Sequence, residues 1–157
     1  MHVEQRHLLV GDESIKNPAQ LQLAGRGTSI TAPNALSLGR WYHIAVVDNG
    51  SEMTIYIDGN AEISVDSSSS KAINLGFYYN SPFAIGMSAA DVRYFNGYVS
   101  EARVWKRALT PTELKNNQCY VDPATAEGLI GYWRLDQVED DGRTFTDLSG
   151  NGYHGKA

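Results

Sequence analysis

Hydrophobic and polar positions alternate with a period of two along most of this chain, the repeat of a half-buried strand. Between 41 and 47, Tyr42, Ile44 and Val46 fall on one face, and Trp41, His43, Ala45 and Val47 on the other. Met53, Ile55 and Ile57 then form an inward set with Thr54 and Tyr56 outward. That run ends on Asp58, Gly59 and Asn60, a strong hairpin signal because Asp-Gly accepts the positive φ of a tight turn. Ala61, Ile63 and Val65 resume the alternation, and similar short runs at 7–10, 20–24, 28–31, 83–87, 98–105 and 129–135 bring the expected strands to nine. Short strands at regular spacing predict an all-β fold, a two-sheet antiparallel jelly-roll sandwich. Tyr42, Ile44, Val46, Met53, Ile55 and Ile57 are expected in its core.

One short surface helix is predicted near 111–117. Thr110 offers an N-cap, Pro111 suits the first helical position, and Glu113 stands three residues after the cap. Leu114 is its one apolar anchor before Asn116 and Asn117 stop it.

Composition narrows the function classes. With 157 residues, 42% hydrophobic and 20% charged, the chain reads as one ordinary globular domain. A net charge of −5 without a basic cluster argues against nucleic-acid or anionic-membrane partners. No run approaches the roughly 18 apolar residues that would insert into a membrane. Cys119 is the single cysteine, so an internal disulfide and any metal site needing two thiolates are excluded. Residues 1–20 lack the apolar stretch of a secretory signal.

Four segments recur in a recognisable order: 39–47 (Gly-Arg-Trp-Tyr-His-Ile-Ala-Val-Val), 53–59 (Met-Thr-Ile-Tyr-Ile-Asp-Gly), 95–105 (Phe-Asn-Gly-Tyr-Val-Ser-Glu-Ala-Arg-Val-Trp) and 107–114 (Arg-Ala-Leu-Thr-Pro-Thr-Glu-Leu). Together, over roughly residues 36–118, they resemble the concanavalin-A-like jelly-roll modules of the laminin-G-like and pentraxin-like family. The resemblance implies the jelly-roll fold and a role among lectins, glycan-binding modules, adhesion domains and some glycosidases. Two departures stand out. Residues 1–10 do not supply the family's aromatic, acidic, Trp-containing opening strand, while 128–136 and 147–155 resemble what often precedes it. The chain is therefore read as one module over 1–157 of a larger protein, with 126–157 packing back on it and 129–135 pairing in cis. The alternative is that 126–157 begins a second repeat.

Catalytic patterns fail one by one. His2, His7, His43 and His154 have no zincin spacing, and no G-x-S-x-G elbow exists. Glycosidases need paired acids, yet the predicted strands carry only the isolated Glu62 and Glu101. Gly150, Gly152 and Gly155 satisfy G-x-G-x-x-G, but the chain stops too soon for a phosphate-binding helix to follow. The same stretch, with Asp147, Ser149, Asn151 and Gly152, has the spacing of a calcium-loop start. The resemblance implies structural calcium (Ca2+) near this phrase, with Asp147 and Asn151 as metal ligands. The competing reading is an Asx/Ser turn closed by its own backbone.

Sugars stack their C–H faces on aromatic rings, so loop aromatics beside planar polar groups are the candidate carbohydrate-binding residues: Tyr78, Tyr79, Asn80, Tyr94 and Asn96. Trp41, Trp105 and Trp133 lie in strand patterns and read as packing residues. Asn49, Gly50 and Ser51 form a glycosylation sequon that an Asn-Gly turn also explains. The expected function is a non-catalytic binding module for a glycan or other cell-surface ligand, in a secreted or cell-surface protein. A structural or protein-adhesion module and a glycosidase are the alternatives.

Overall fold

The computed structural model describes residues 2–10, 19–25, 28–66, 83–88 and 93–157, with the backbone alone at 2–10, 19, 23–25, 28–29, 87–88 and 93. The strands are β1 (His2–Val10), β2 (Ala19–Gly25), β3 (Thr28–Leu36), β4 (Trp41–Asp48), β5 (Glu52–Ile57), β6 (Asn60–Asp66), β7 (Met87–Ser88), β8 (Arg93–Tyr94), β9 (Gly97–Trp105), β10 (Leu129–Arg134), β11 (Thr144–Phe145) and β12 (Gly155–Lys156). One helix, α1 (Pro111–Asn116), follows β9. A six-stranded sheet runs β10-β9-β1-β4-β5-β6, and all its pairings are antiparallel. The β2-β3 ribbon packs across one of its faces.

The core between these layers follows the alternation. Tyr42, Ile44 and Ile57 meet Ala32 and Leu36 of β3, and Met53 and Ile55 meet Ile30, with Val46 packed beside them. The opposite face is not left to water, as the outward assignment of Thr54 and Tyr56 suggested. Segment 106–128 folds over half of it. Ala45, Val47, Trp105 and Tyr132 are buried there against Leu109, Leu114 and Val121, and Thr54 is buried with its hydroxyl on Ser64 at 2.7 Å. A sheet covered on both faces needs apolar residues on both, which is why Ala45 and Val47 accompany Ile44 and Val46.

Helix α1 is fixed locally by its cap. The Thr110 hydroxyl accepts from the Glu113 N–H, and the Glu113 carboxylate accepts from the Thr110 N–H at 2.8 Å. The Arg107 guanidinium, 2.6 Å from Glu113, and then the Thr110 N–H hold that carboxyl down at about 2. Single-anchored as predicted, the helix buries Leu114 completely.

At the β5–β6 hairpin both Asp58 (φ 52°) and Gly59 (φ 73°) are left-handed, the geometry of a type I′ turn. A methyl group on Gly59 would also stand 2.6 Å from Lys115 Cγ of the helix. Gly59→Ala is therefore expected to destabilise the protein by about 1–2 kcal/mol from backbone strain, measured as a lower urea midpoint at unchanged slope.

Two expectations change. Residues 1–10 lack the family's aromatic, acidic, Trp-containing phrase, and the alternation predicts a strand only at 7–10. Instead β1 spans His2–Val10 and is a central strand between β4 and β9. Its polar stretch is tolerated because both backbone edges are bonded. The expected strand at 83–87 survives only as Met87 in β7; residues 83–86 run irregularly, with Phe83 stacked 5.8 Å from Trp133 and Ile85 packed by Ala102 and Val104.

The 129–134 segment pairs in cis with β9 as an edge strand. Its free edge is covered in turn by Asp147, bridged to Trp133, and by the Leu148 N–H donating to Tyr132 O at 2.7 Å. Among the described residues no helix is long and apolar enough to cross a membrane.

Candidate functional site

Among the described residues, segment 106–128 covers only half of the outer sheet face and does not reach the end where β4 and β9 begin. Alternation places its residues. Phe95 and Val99 pack against the Tyr42 cluster, so Tyr94, Asn96 and Tyr98 stand out of the core between and beside them. Tyr94 is 70% exposed and Tyr98 68%. Trp41, next to the buried Tyr42, is 43% exposed, whereas Trp105 and Trp133 are buried. The packing assignment therefore describes Trp105 and Trp133, and Trp41 belongs with the exposed aromatics. Tyr78, Tyr79 and Asn80 lie outside the described residues, so nothing places them beside Tyr94 and Asn96.

Charged groups flank this surface in closed pairs. Arg40 Nη2 donates to Asp58 Oδ2 at 2.7 Å, while Asp58 Oδ1 accepts the His43 N–H at 2.9 Å. Arg134 reaches Asp136 through two nitrogens, at 2.8 and 3.2 Å. Glu101 lies just along β9 from Tyr98, and its Oε2 accepts from Arg103 Nη2 at 2.5 Å and from the Tyr132 hydroxyl at 3.2 Å. Burial raises the Tyr132 pKa, outweighing Arg103 beside it, so the phenol stays a donor. Each carboxylate here is paired with an arginine.

Arg103 itself is fully buried. It donates to the carbonyls of Asn117 (2.9 Å) and Cys119 (3.1 Å) and lies 4.7 Å over the Tyr132 ring, fastening the end of α1 to the sheet.

The Asp147 turn can be tested for calcium from its donors and acceptors. Oδ1 accepts the N–H groups of Tyr132 and Ser149, both at 2.9 Å; Oδ2 accepts the Ser149 hydroxyl at 2.8 Å and the Tyr153 N–H at 3.0 Å. Burial alone would raise the Asp147 pKa, but these bonds together hold it below the usual carboxylate range. Asn151 points its amide nitrogen at the Ile130 carbonyl (3.2 Å) and at Ser149 Oγ (3.1 Å). Calcium takes six to eight oxygens, and the four acceptor positions of Asp147 are already committed. Among the described residues no group of three or more His, Cys, Asp or Glu could hold a metal. Asp147 and Asn151 thus do not fit a calcium site as arranged; they anchor the tail to β10. The melting temperature should be the same in calcium and in EDTA, and a shift of several degrees on chelation would contradict this assignment.

The comparisons agree with the architecture. A family model described as the concanavalin A-like lectin/glucanases superfamily matches residues 6–115. No curated protein matches the chain. Among solved structures, a protein from Bacteroides ovatus with the provisional description of a carbohydrate-binding protein is similar at 28% identity and a TM-score of 0.75, over 98% of this chain. The chain spans about half of that protein, 51% of its length.

Proposed function

This chain belongs to the concanavalin A-like lectin/glucanases superfamily, and from that premise we propose that it is a non-catalytic carbohydrate-binding module of a secreted or cell-surface protein. The observation that carries the reading is the match, over 98% of the chain, to a protein described as carbohydrate-binding. The exposed run of Tyr94, Asn96 and Tyr98 beside Trp41 supplies aromatic faces and amide groups of the kind sugars need. Glu101, Asp58 and Asp136 are each tied to an arginine rather than set as the facing pair of acids that glycoside hydrolysis uses.

A glycan array probed with the intact chain, in calcium and in EDTA, tests the reading. Binding confined to a structural class of glycan, equal in both buffers, is the expected result. Silence across the array would overturn it in favour of a protein-adhesion module. Release of reducing sugar from a bound glycan, lost in Glu101→Gln, would overturn the non-catalytic assignment.

A further inference from the structure

We infer that Trp41 and Tyr98 form a two-ring platform for an uncharged, chain-like saccharide lying across β4, β1 and β9. This rests on the carbohydrate-binding role proposed above and assigns it a place and a ligand chemistry. The two residues are far apart in sequence but share one partner in register: Leu9 of β1 pairs with Trp41 on one side and with Tyr98 on the other. One position earlier, Leu8 pairs with Tyr42 and Val99, which pack together in the core. Successive residues of a strand face opposite ways, so Trp41 and Tyr98 share the outer face. Their backbones are separated by two strand spacings, about 10 Å.

Both rings are exposed at the half of the face that α1 does not cover. A ring presents a negative face to C–H groups, the apolar side of a pyranose. Two rings side by side across the strands suit successive units of a chain better than a single sugar. The flanking charges select among chains. Arg40–Asp58 and Arg134–Asp136 are solvent-facing ion pairs at 2.7 and 2.8 Å. Closed pairs carry little net field, yet they keep donors and acceptors for hydroxyl groups. A uronate or sulfate would instead have to displace a carboxylate from its arginine. A neutral glycan matches this rim.

The test is calorimetric titration of the intact chain with cellohexaose, laminarihexaose, xylohexaose and mannohexaose, with hexagalacturonate as the charged comparator, at low and high salt. The expected result is binding of a neutral probe that salt leaves unchanged. Trp41→Ala and Tyr98→Ala should each weaken it by about tenfold or more. Trp41→Phe and Tyr98→Phe should retain most of the affinity, and Tyr153→Ala, an exposed tyrosine on the tail, should bind as the unaltered chain does. Circular dichroism establishes that each variant is folded. If a neutral probe binds and both alanine variants keep full affinity, the platform is wrong while the module reading stands. Binding of hexagalacturonate alone, weakened by salt, overturns the neutral-ligand assignment only. If none of the five probes binds while the glycan array shows binding, the platform for a neutral chain is wrong and the module reading stands; silence in both overturns both.

Discussion

Replacing Arg103 with methionine should cost the fold about 3–5 kcal/mol, the range for breaking a buried ion pair by removing one partner. The fully buried guanidinium serves several groups at once, among them Glu101 at 2.5 Å and the carbonyls of Asn117 and Cys119 at 2.9 and 3.1 Å. Methionine would fill much of the volume but satisfy none of them. The carbonyls close the loop after α1, so their release should loosen the segment that covers Ala45, Val47 and Trp105. Urea denaturation measures the loss. A change below about 1 kcal/mol, the scale of an exposed pair, would mean that Arg103 is not the tie described.

Asp147→Ala should produce the other large loss, about 3 kcal/mol or more, since several buried donors lose their acceptor together. Those donors are the N–H groups of Tyr132, Ser149 and Tyr153 and the Ser149 hydroxyl. The pH dependence has a definite sign. The folded carboxyl lies below the usual aspartate value, about 3.9. Its contribution is therefore complete above that value and disappears as pH falls through the lower folded one. The parent protein should lose stability on acidification below about pH 4, and Asp147→Ala should flatten that limb. Trp133 reports the same event: its indole N–H donates to the Tyr153 carbonyl at 2.7 Å, and release of the tail would red-shift its emission. A variant with unchanged urea midpoint and emission would contradict the anchoring role.

What the sequence made legible is what is decided locally. The β5–β6 turn is written in Asp58 and Gly59, the helix cap in Thr110, Pro111 and Glu113, and the inward face in the alternation of β4 and β5. What escaped is decided by distant partners. β1 is polar enough to look unlike a core strand, because its place comes from bonding on both edges rather than from an apolar run. Thr54 and Tyr56 looked outward because a helix with one anchor gave no sign of covering half a sheet. Gly131 shows the same limit: a Cβ there would stand 2.3 Å from Trp133 Cη2, a close approach that only the folded ring reveals.

The candidate site divides in the same way. Tyr94 and Asn96 could be proposed from composition, since aromatic and amide side chains cluster there. Trp41 could not, because its exposure depends on which half of the face segment 106–128 covers, and its partnership with Tyr98 depends on Leu9. At Asp147 the calcium-loop and turn readings share one residue spacing. The direction of the carboxylate separates them, and it points into the protein.

The central claim is that this module holds a glycan and leaves it intact. Incubating the unaltered chain with the best-binding oligosaccharide, separating the complex by size and measuring the recovered chain length tests both halves at once. The account predicts that the oligosaccharide elutes with the protein and is recovered at full length. Failure to co-elute, or recovery of shortened chains, would contradict it.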